Sequence, residues 1–432
     1  MPEDVDLRSR LAGYLPELGF ALLAVTFMGL WVYHSYSIWQ IRPASDWNGS
    51  EWMISYSGGF VRRGLAGSLL MALVRHTGWS LFAIWTVGVS TLCLTLSGWF
   101  LATIARLRGP AVWRTALLLN PLLVLPFAEA GVFLRKDLIF PAATILHVFL
   151  AERLLRSGSS RRTVLFVSAL ACLSTVLALL HEGLFAFAWL PLNLTLAAWV
   201  LSRVIPRRST VVLLLTAAFG VSLVVLGASV IWHGNASTVK AIYQAWMPFL
   251  PQGAGSGVVL PPALDVLQLG SGVAIRQSMM NVRYFPLFLL GYCIAGLLCV
   301  TAIRNLVPGT DPRRLWVLLI APLVAALPLF YVGMDWGRWF YVLGTCSFSV
   351  MIKPTLLSYR SSPREAQIPT RVGRLLHRRI AAIAAQIERH PVPIMLCLLL
   401  CPIPPWPCVG GSLAFDTVIL LLRLSAHSLA GH

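Results

Sequence analysis

The chain has 432 residues, 57% apolar and only 12% charged, with 16 tryptophans, and that leaves too little polar side chain to cover a soluble globule. Its formal net charge is +18, which in a soluble protein would point to nucleic acid. In a chain this apolar the excess reads instead as the Lys and Arg that gather in cytoplasmic loops, so no nucleic-acid partner is expected and the fold class is all-α, a polytopic transmembrane helical bundle.

A helix crosses the hydrocarbon core in about 20 mostly apolar residues. Segments of that kind fall near 18–39, 80–104, 115–132, 138–155, 163–181, 184–203, 210–232, 284–303, 315–334, 339–358, 392–405 and 411–426. The last two are short and Pro-rich, so ten to twelve spans are expected. Residues 1–19 carry acids and lack a basic start with a small-residue cleavage site, which predicts a retained first helix rather than a signal peptide. Cys93, Cys172, Cys293, Cys299, Cys346 and Cys397 lie within spans, where they act as small apolar residues. Cys401 and Cys408 flank the turn from Pro402 to Pro407 and offer a disulfide as one reading; no CxxC metal spacing occurs.

Two outer segments are too long for simple turns. In the first, 40–79, the stretch from Phe60 to His76 places Val61, Leu65, Leu69 and Leu73 at a helical repeat with Arg62, Arg63 and Arg75 elsewhere on the wheel, predicting an amphipathic helix on the outer membrane surface. The second, 233–283, holds Trp246-Met-Pro-Phe-Leu-Pro251, a Gly-rich stretch and Pro261-Pro262. Those breaks exclude one continuous helix, and a loop of that length suits a lid or a binding surface. From Tyr359 to His390 the chain is basic, and Val372, Leu375, Leu376, Ile380, Ile383 and Ile387 share one side, as in a surface anchor for anionic membrane lipids. The expected organisation is a catalytic bundle over 1–358 including both outer loops, a basic cytoplasmic segment over 359–390 and a C-terminal hairpin over 391–432. No internal repeat is visible.

The polar breaks between spans alternate in character. One set is almost purely basic, with Arg106, Arg108 and Arg114, then Arg153, Arg156, Arg161 and Arg162, then Arg203, Arg207 and Arg208, then Arg304, Arg313 and Arg314. The other set mixes signs, and the acids Asp46, Glu51, Glu129, Asp137, Glu182, Asp265 and Asp335 all fall on it or near it. The positive-inside rule assigns the basic set and the N-terminus to the cytoplasm and the mixed set to the outer face of a plasma membrane. Charges at the edge of a bilayer are costly, so the mixed breaks are the candidate site.

Asp46 and Glu51, flanked by Trp47 and Trp52, are candidates for a catalytic general base, against the plainer reading of a solvated loop in an aromatic belt. Arg62 and Arg63 stand among Gly58, Gly59, Gly64 and Gly67. Arginine forks phosphate oxygens and glycine lets backbone amides approach a ligand, while two arginines meeting lipid headgroups is the equal alternative. Arg135, Lys136 and Asp137 make a tight charged turn that leaves one positive charge for an anion. His181 and Glu182 could shuttle protons, bind a metal or make a structural hydrogen bond; without a second His-rich cluster the metal stays unknown. Asp335 and Arg338 are spaced to pair with each other, or Arg338 faces the same cavity as Arg62 and Arg135.

A long first outer loop with an early acid, an amphipathic surface helix and about a dozen spans resembles the integral-membrane glycosyltransferases of the GT-C fold. It is similar also to the bacterial polymerases and ligases that act on polyprenyl-linked sugars. The resemblance covers the layout of most of the chain. It implies transfer of a sugar or oligosaccharide from a polyprenyl-(pyro)phosphate-linked donor to a glycan or lipid acceptor, in cell-envelope polysaccharide assembly. Asp46 would be the first-loop catalytic carboxylate with Glu51 as the substitute candidate, Arg62, Arg63, Arg135 and Arg338 would hold the donor phosphate, and a divalent cation is a possible cofactor. The chain departs from the paired acids of many members and from their large C-terminal soluble domain. The rival is a transporter or flippase for an anionic lipid or solute, and a third reading is a non-catalytic scaffold.

Overall fold

Stretches of apolar sequence ended by caps and glycines define the helices. The computed structural model describes residues 3–41, 47–123, 135–250, 260–268, 285–307, 312–332 and 336–353, with a few isolated positions besides. No strand occurs among the described residues, and the all-α bundle is what forms. Its helices are α1 (Glu3–Ile41), α2 (Trp47–Trp52), α3 (Gly64–Thr77), α4 (Leu81–Arg106), α5 (Ala111–Leu118), α6 (Ile139–Ser157), α7 (Ser160–Leu180), α8 (Leu184–Val204), α9 (Arg208–Ile231), α10 (Ala236–Trp246), α11 (Phe285–Leu306), α12 (Pro312–Val332) and α13 (Trp336–Met351). Seven segments among the described residues are long and apolar enough to cross a membrane: Leu81–Arg106, Lys136–Ser157, Ser160–Leu180, Leu184–Val204, Arg208–Ile231, Phe285–Leu306 and Arg314–Tyr331.

Ten to twelve were expected, and the others are shorter helices or fall partly or wholly outside the described residues. The apolar part of α1 is shorter, Tyr14–Leu30. The span expected over 115–132 does not start as one helix, because α5 stops at Leu118. Asn120 ends it: its side-chain oxygen accepts from the Leu122 amide at 3.0 Å while its amide donates to the Ala295 carbonyl at 2.8 Å, local bonding that competes with the helical ladder. Helix α13 has 16 residues. The segments 392–405 and 411–426, Cys401 and Cys408, and nearly all of 359–390 lie outside the described residues.

Short connections make the neighbours antiparallel. Ser80 caps α4 by accepting from the Ala83 amide at 3.1 Å, Ser159 caps α7, and Gly158 turns α6 into α7 at φ +58°. Helix α7 packs along α9, and α13 sits between α6, α11 and α12 with every residue from Trp336 to Met351 buried. Helix α6, with 19 residues and so about 28 Å long, separates two populations of charge. At the basic end Arg114 pairs with Glu17 at 3.3 Å and Lys353 with Glu152 at 3.2 Å. At the other end lie the start of α6, the end of α7 and the start of α13.

The segments 47–77 and 236–268 build a second apolar core of their own. Met53, Ile54, Val61, Leu70, Met71 and Val74 from the first loop pack with Val239, Ile242, Trp246, Leu264 and Leu267 from the second. The surface helix predicted from Phe60 to His76 forms as α3, but with a different inner face. Ala66, Gly67, Leu70, Met71 and Val74 are buried, whereas Leu69 and Leu73 are 56% and 48% exposed. Gly67 is the reason: a Cβ there would collide with the backbone carbonyls of Ile54 and Trp52, so only the small-residue side of α3 can come that close. Of the predicted apolar stripe, Leu69 and Leu73 thus point away from the lobe, while Val61 is buried in it.

Candidate functional site

Five separate pieces of chain bring the mixed-sign groups together. Glu51 sits near the end of α2, Arg62 and Arg63 precede α3, and Arg135, Lys136 and Asp137 form the turn before α6. His181 and Glu182 join α7 to α8, and Arg338 lies in the first turn of α13. Arg135, Lys136, Asp137, His181, Glu51 and Arg338 are all nearly inaccessible to solvent. The side chains of Arg62 and Arg63 keep 25% of their surface exposed and form the open edge.

Arg63 is the hub. Its Nε donates to both Glu182 carboxylate oxygens, at 3.2 and 3.1 Å, and its Nη2 donates to Oε1 at 3.0 Å. Its Nη1 lies 3.9 Å from Glu51 Oε1, and its backbone carbonyl accepts from Lys136 Nζ at 3.3 Å. To do this it adopts φ +64°, ψ +13°, the one positive φ at a non-glycine residue among those described. A left-handed arginine costs of order 1 kcal/mol or more and persists only where its surroundings over-determine it. Arg62 Nη1 approaches the same Glu182 at 3.8 Å, and its amide donates to the Trp232 carbonyl at 3.2 Å.

Deeper in, Arg338 Nη1 donates to Asp137 Oδ2 at 2.7 Å, with both side chains buried. Two tryptophans floor the cations: the Arg135 guanidinium lies 5.7 Å from the Trp47 ring centre and Lys136 Nζ 6.0 Å from that of Trp52. His181 Nδ1 accepts from the Leu184 amide at 3.3 Å, so it caps α8, whose first turns are a π-helix from Leu184 to Trp189. Of the three readings for His181, the structural hydrogen bond is the one seen. Burial, reinforced by Arg63, pushes its ring down to about 3, which keeps it neutral at pH 7.

The electrostatics are those of ionised groups out of water. Burial pushes the Glu51 carboxyl up, but Arg135, Lys136, His181 and Arg63 outweigh it and hold it at about 2. Glu182 is likewise held well below the usual carboxylate range: burial opposes this, and Arg63, His181 and Arg62 prevail. Glu51 Oε2 is buried without a hydrogen-bond partner among the described residues. No group of three His, Cys, Asp or Glu side chains that could hold a metal ion occurs among them. Glu51 and Glu182 already face Arg63, so the described groups do not fit a divalent cation.

Asp46 and Asp335 lie outside the described residues, so the Asp335 pairing with Arg338 stays unplaced, whereas Arg338 reaches Asp137 across 201 positions of sequence. The glycines act differently from the reading made of them. Gly64 and Gly67 admit the Tyr56 ring and the Ile54 carbonyl, and a Cβ at Gly58 would stand 2.7 Å from the Thr238 carbonyl; they serve packing, not ligand approach. Sequence reasoning missed the residues that clamp the first loop from the second. Trp246 Nε1 donates to the Met53 carbonyl at 2.6 Å, and the Ala263 amide donates to Ser50 Oγ at 3.2 Å. A tryptophan next to Met-Pro-Phe was the one visible signal. Asp265 stands apart, accepting from Gln268 at 2.6 Å.

No curated protein and no solved structure matches the chain. A family model does, over residues 18–244, just over half the chain, and that region holds every member of the cluster except Arg338. By that match the chain belongs to the family described as Uncharacterised membrane protein Rv1490.

Proposed function

We propose that the protein is a membrane glycosyltransferase that moves a sugar or oligosaccharide from a polyprenyl-(pyro)phosphate-linked donor to a glycan or lipid acceptor, at the outer face of a plasma membrane. The observation that carries this reading is the position of Glu51. A carboxylate from the first outer loop stands among Arg63, Arg135, Lys136 and His181 with one oxygen unpartnered, beside an edge formed by Arg62 and Arg63.

The chemistry follows from those groups. Arg62 and Arg63 meet the donor phosphate at the open edge, where a guanidinium fork matches its oxygens. Glu51 takes the proton of the acceptor hydroxyl as that oxygen bonds to the sugar's anomeric carbon. The bond from that carbon to the phosphate oxygen breaks, and the polyprenyl (pyro)phosphate leaves with its charge held by fixed cations. A carboxyl held at about 2 is a weak base at rest. A bound phosphate shares the same cations and adds negative charge nearby, and both effects raise the Glu51 carboxyl toward a useful range.

Transport is the alternative, and placement argues against it. Transport sites lie near the bilayer centre, whereas these groups sit at the first turns of α6 and α13 and at the end of α7. The test is purified protein in proteoliposomes with a labelled polyprenyl-phosphate hexose and oligosaccharide acceptors. Release of polyprenyl phosphate is expected, reduced about 100-fold or more by Glu51→Gln. Turnover unaffected by Glu51→Gln and by Asp46→Asn sinks the assignment; labelled lipid crossing the bilayer unconsumed replaces it with a flippase.

A further inference from the structure

A cavity of about 420 Å³ lies where α3 turns into α4, lined by Arg75, Gly78, Trp79, Ser80, Leu81 and Phe249 among others. It is well separated from the charged cluster. Arg63 caps the start of α3 and the cavity adjoins its end, and 14 residues of helix rise about 20 Å. Nothing in the proposed transfer chemistry uses it.

We propose that this cavity binds the phosphate headgroup of an anionic membrane phospholipid. The Arg75 guanidinium lies over the Phe249 ring, 5.8 Å from its centre. Stacking occupies the face of the fork and leaves its N–H edge to donate. No carboxylate among the described residues pairs with Arg75. Gly78, at φ +68°, ends α3 by donating to the Val74 carbonyl at 3.0 Å and swings the chain so that the start of α4 borders the cavity. Ser80 Oγ accepts from the Ala83 amide at 3.1 Å and the Ser80 carbonyl accepts from Ile84 at 3.2 Å. Ser80 and Leu81, at the positive end of the 26-residue α4, border the cavity. Anion chemistry thus comes from two sources, a guanidinium and a helix start, around one open space.

The walls choose a lipid over a free anion. Trp79 is 58% exposed, and with Phe249 it offers apolar surface to a glycerol backbone. The cavity sits where a surface helix enters a membrane span, the level at which headgroups and interfacial tryptophans lie. A headgroup bound there also fixes the far end of the helix that carries Arg63 at its other end.

The test compares protein in nanodiscs of phosphatidylcholine alone with protein in nanodiscs that add phosphatidylglycerol, counting retained lipid by native mass spectrometry. Wild type is expected to keep one more phosphatidylglycerol per chain than Arg75→Gln, with occupancy of that lipid about tenfold lower in the variant. Trp79→Ala is expected to share the loss. Both side chains are exposed, so thermal midpoints in phosphatidylcholine alone should match wild type, which separates lost binding from lost folding. Equal retention in wild type and Arg75→Gln overturns the proposal. So does displacement of the lipid by millimolar inorganic phosphate, which would make the cavity a free-phosphate site.

Discussion

Asp137 and Arg338 illustrate what single residues contribute and what it costs. Their 2.7 Å bond joins the turn before α6 to α13 with both side chains out of solvent. Removing one partner leaves the other charge buried without this bond, which costs about 3–5 kcal/mol, whereas an apolar replacement of both is often near neutral. Asp137→Leu and Arg338→Met are each expected to lower stability by that amount, and the double variant by clearly less than the sum. Unfolding of all three in one detergent measures it, and strict additivity would show that the pair is not the coupling. That these two residues carry charge at a span end was legible in the sequence. Their pairing was not: Asp137 and Arg338 stand 201 positions apart, and spacing along the chain offers only neighbours such as Asp335. The same holds for Arg63, which the sequence offers to phosphate or to lipid headgroups, while its carboxylate, Glu182, lies 119 positions on.

Helices were readable to the extent that their cause is local. The apolar runs behind α4, α6, α7, α8, α9 and α11 appear within a few residues of their expected bounds, because length and hydropathy suffice to define a span. Helix α5 failed that reading because one side chain, Asn120, found better bonds outside the helix. Helix α3 was readable as an element and misread as a surface, since periodicity marks an apolar face but not which face a glycine allows to come closest. That gives a test at this scale. Gly67→Ala must push the backbone of Trp52 and Ile54, and these flank the loop that leaves α2 and its Glu51. A destabilisation of about 1–3 kcal/mol is expected from such overpacking. Gly78→Ala, with open space at its Cβ and only its φ of +68° against it, should cost about 1 kcal/mol. A thermal midpoint for Gly67→Ala no lower than that for Gly78→Ala would show that α3 does not rest on this contact.

Across the whole molecule, the placement of Glu51 and Arg63 depends on two apolar cores rather than one. The bundle fixes Lys136, Asp137, Glu182 and Arg338 on the ends of long helices. The second lobe fixes Glu51 and Arg63, and it closes only when the segment 236–268 docks on 47–77, through residues more than 180 positions apart such as Met53 and Trp246. No composition or periodicity reveals such a contact, which is why the second loop could be read only as a lid or a binding surface. A lobe with its own core can open without the bundle. Trp246 is fully buried within it, and Trp246→Ala removes both its packing and its bond to the Met53 carbonyl, a loss of about 3–5 kcal/mol. Hydrogen exchange is therefore expected to quicken together over residues 47–77 and 236–246 in this variant, while α6, α7 and α13 keep wild-type protection. Uniform loss of protection across lobe and bundle would mean a single cooperative unit. Loss confined to α10 would mean that α2 and α3 hold Glu51 and Arg63 in place without the second segment.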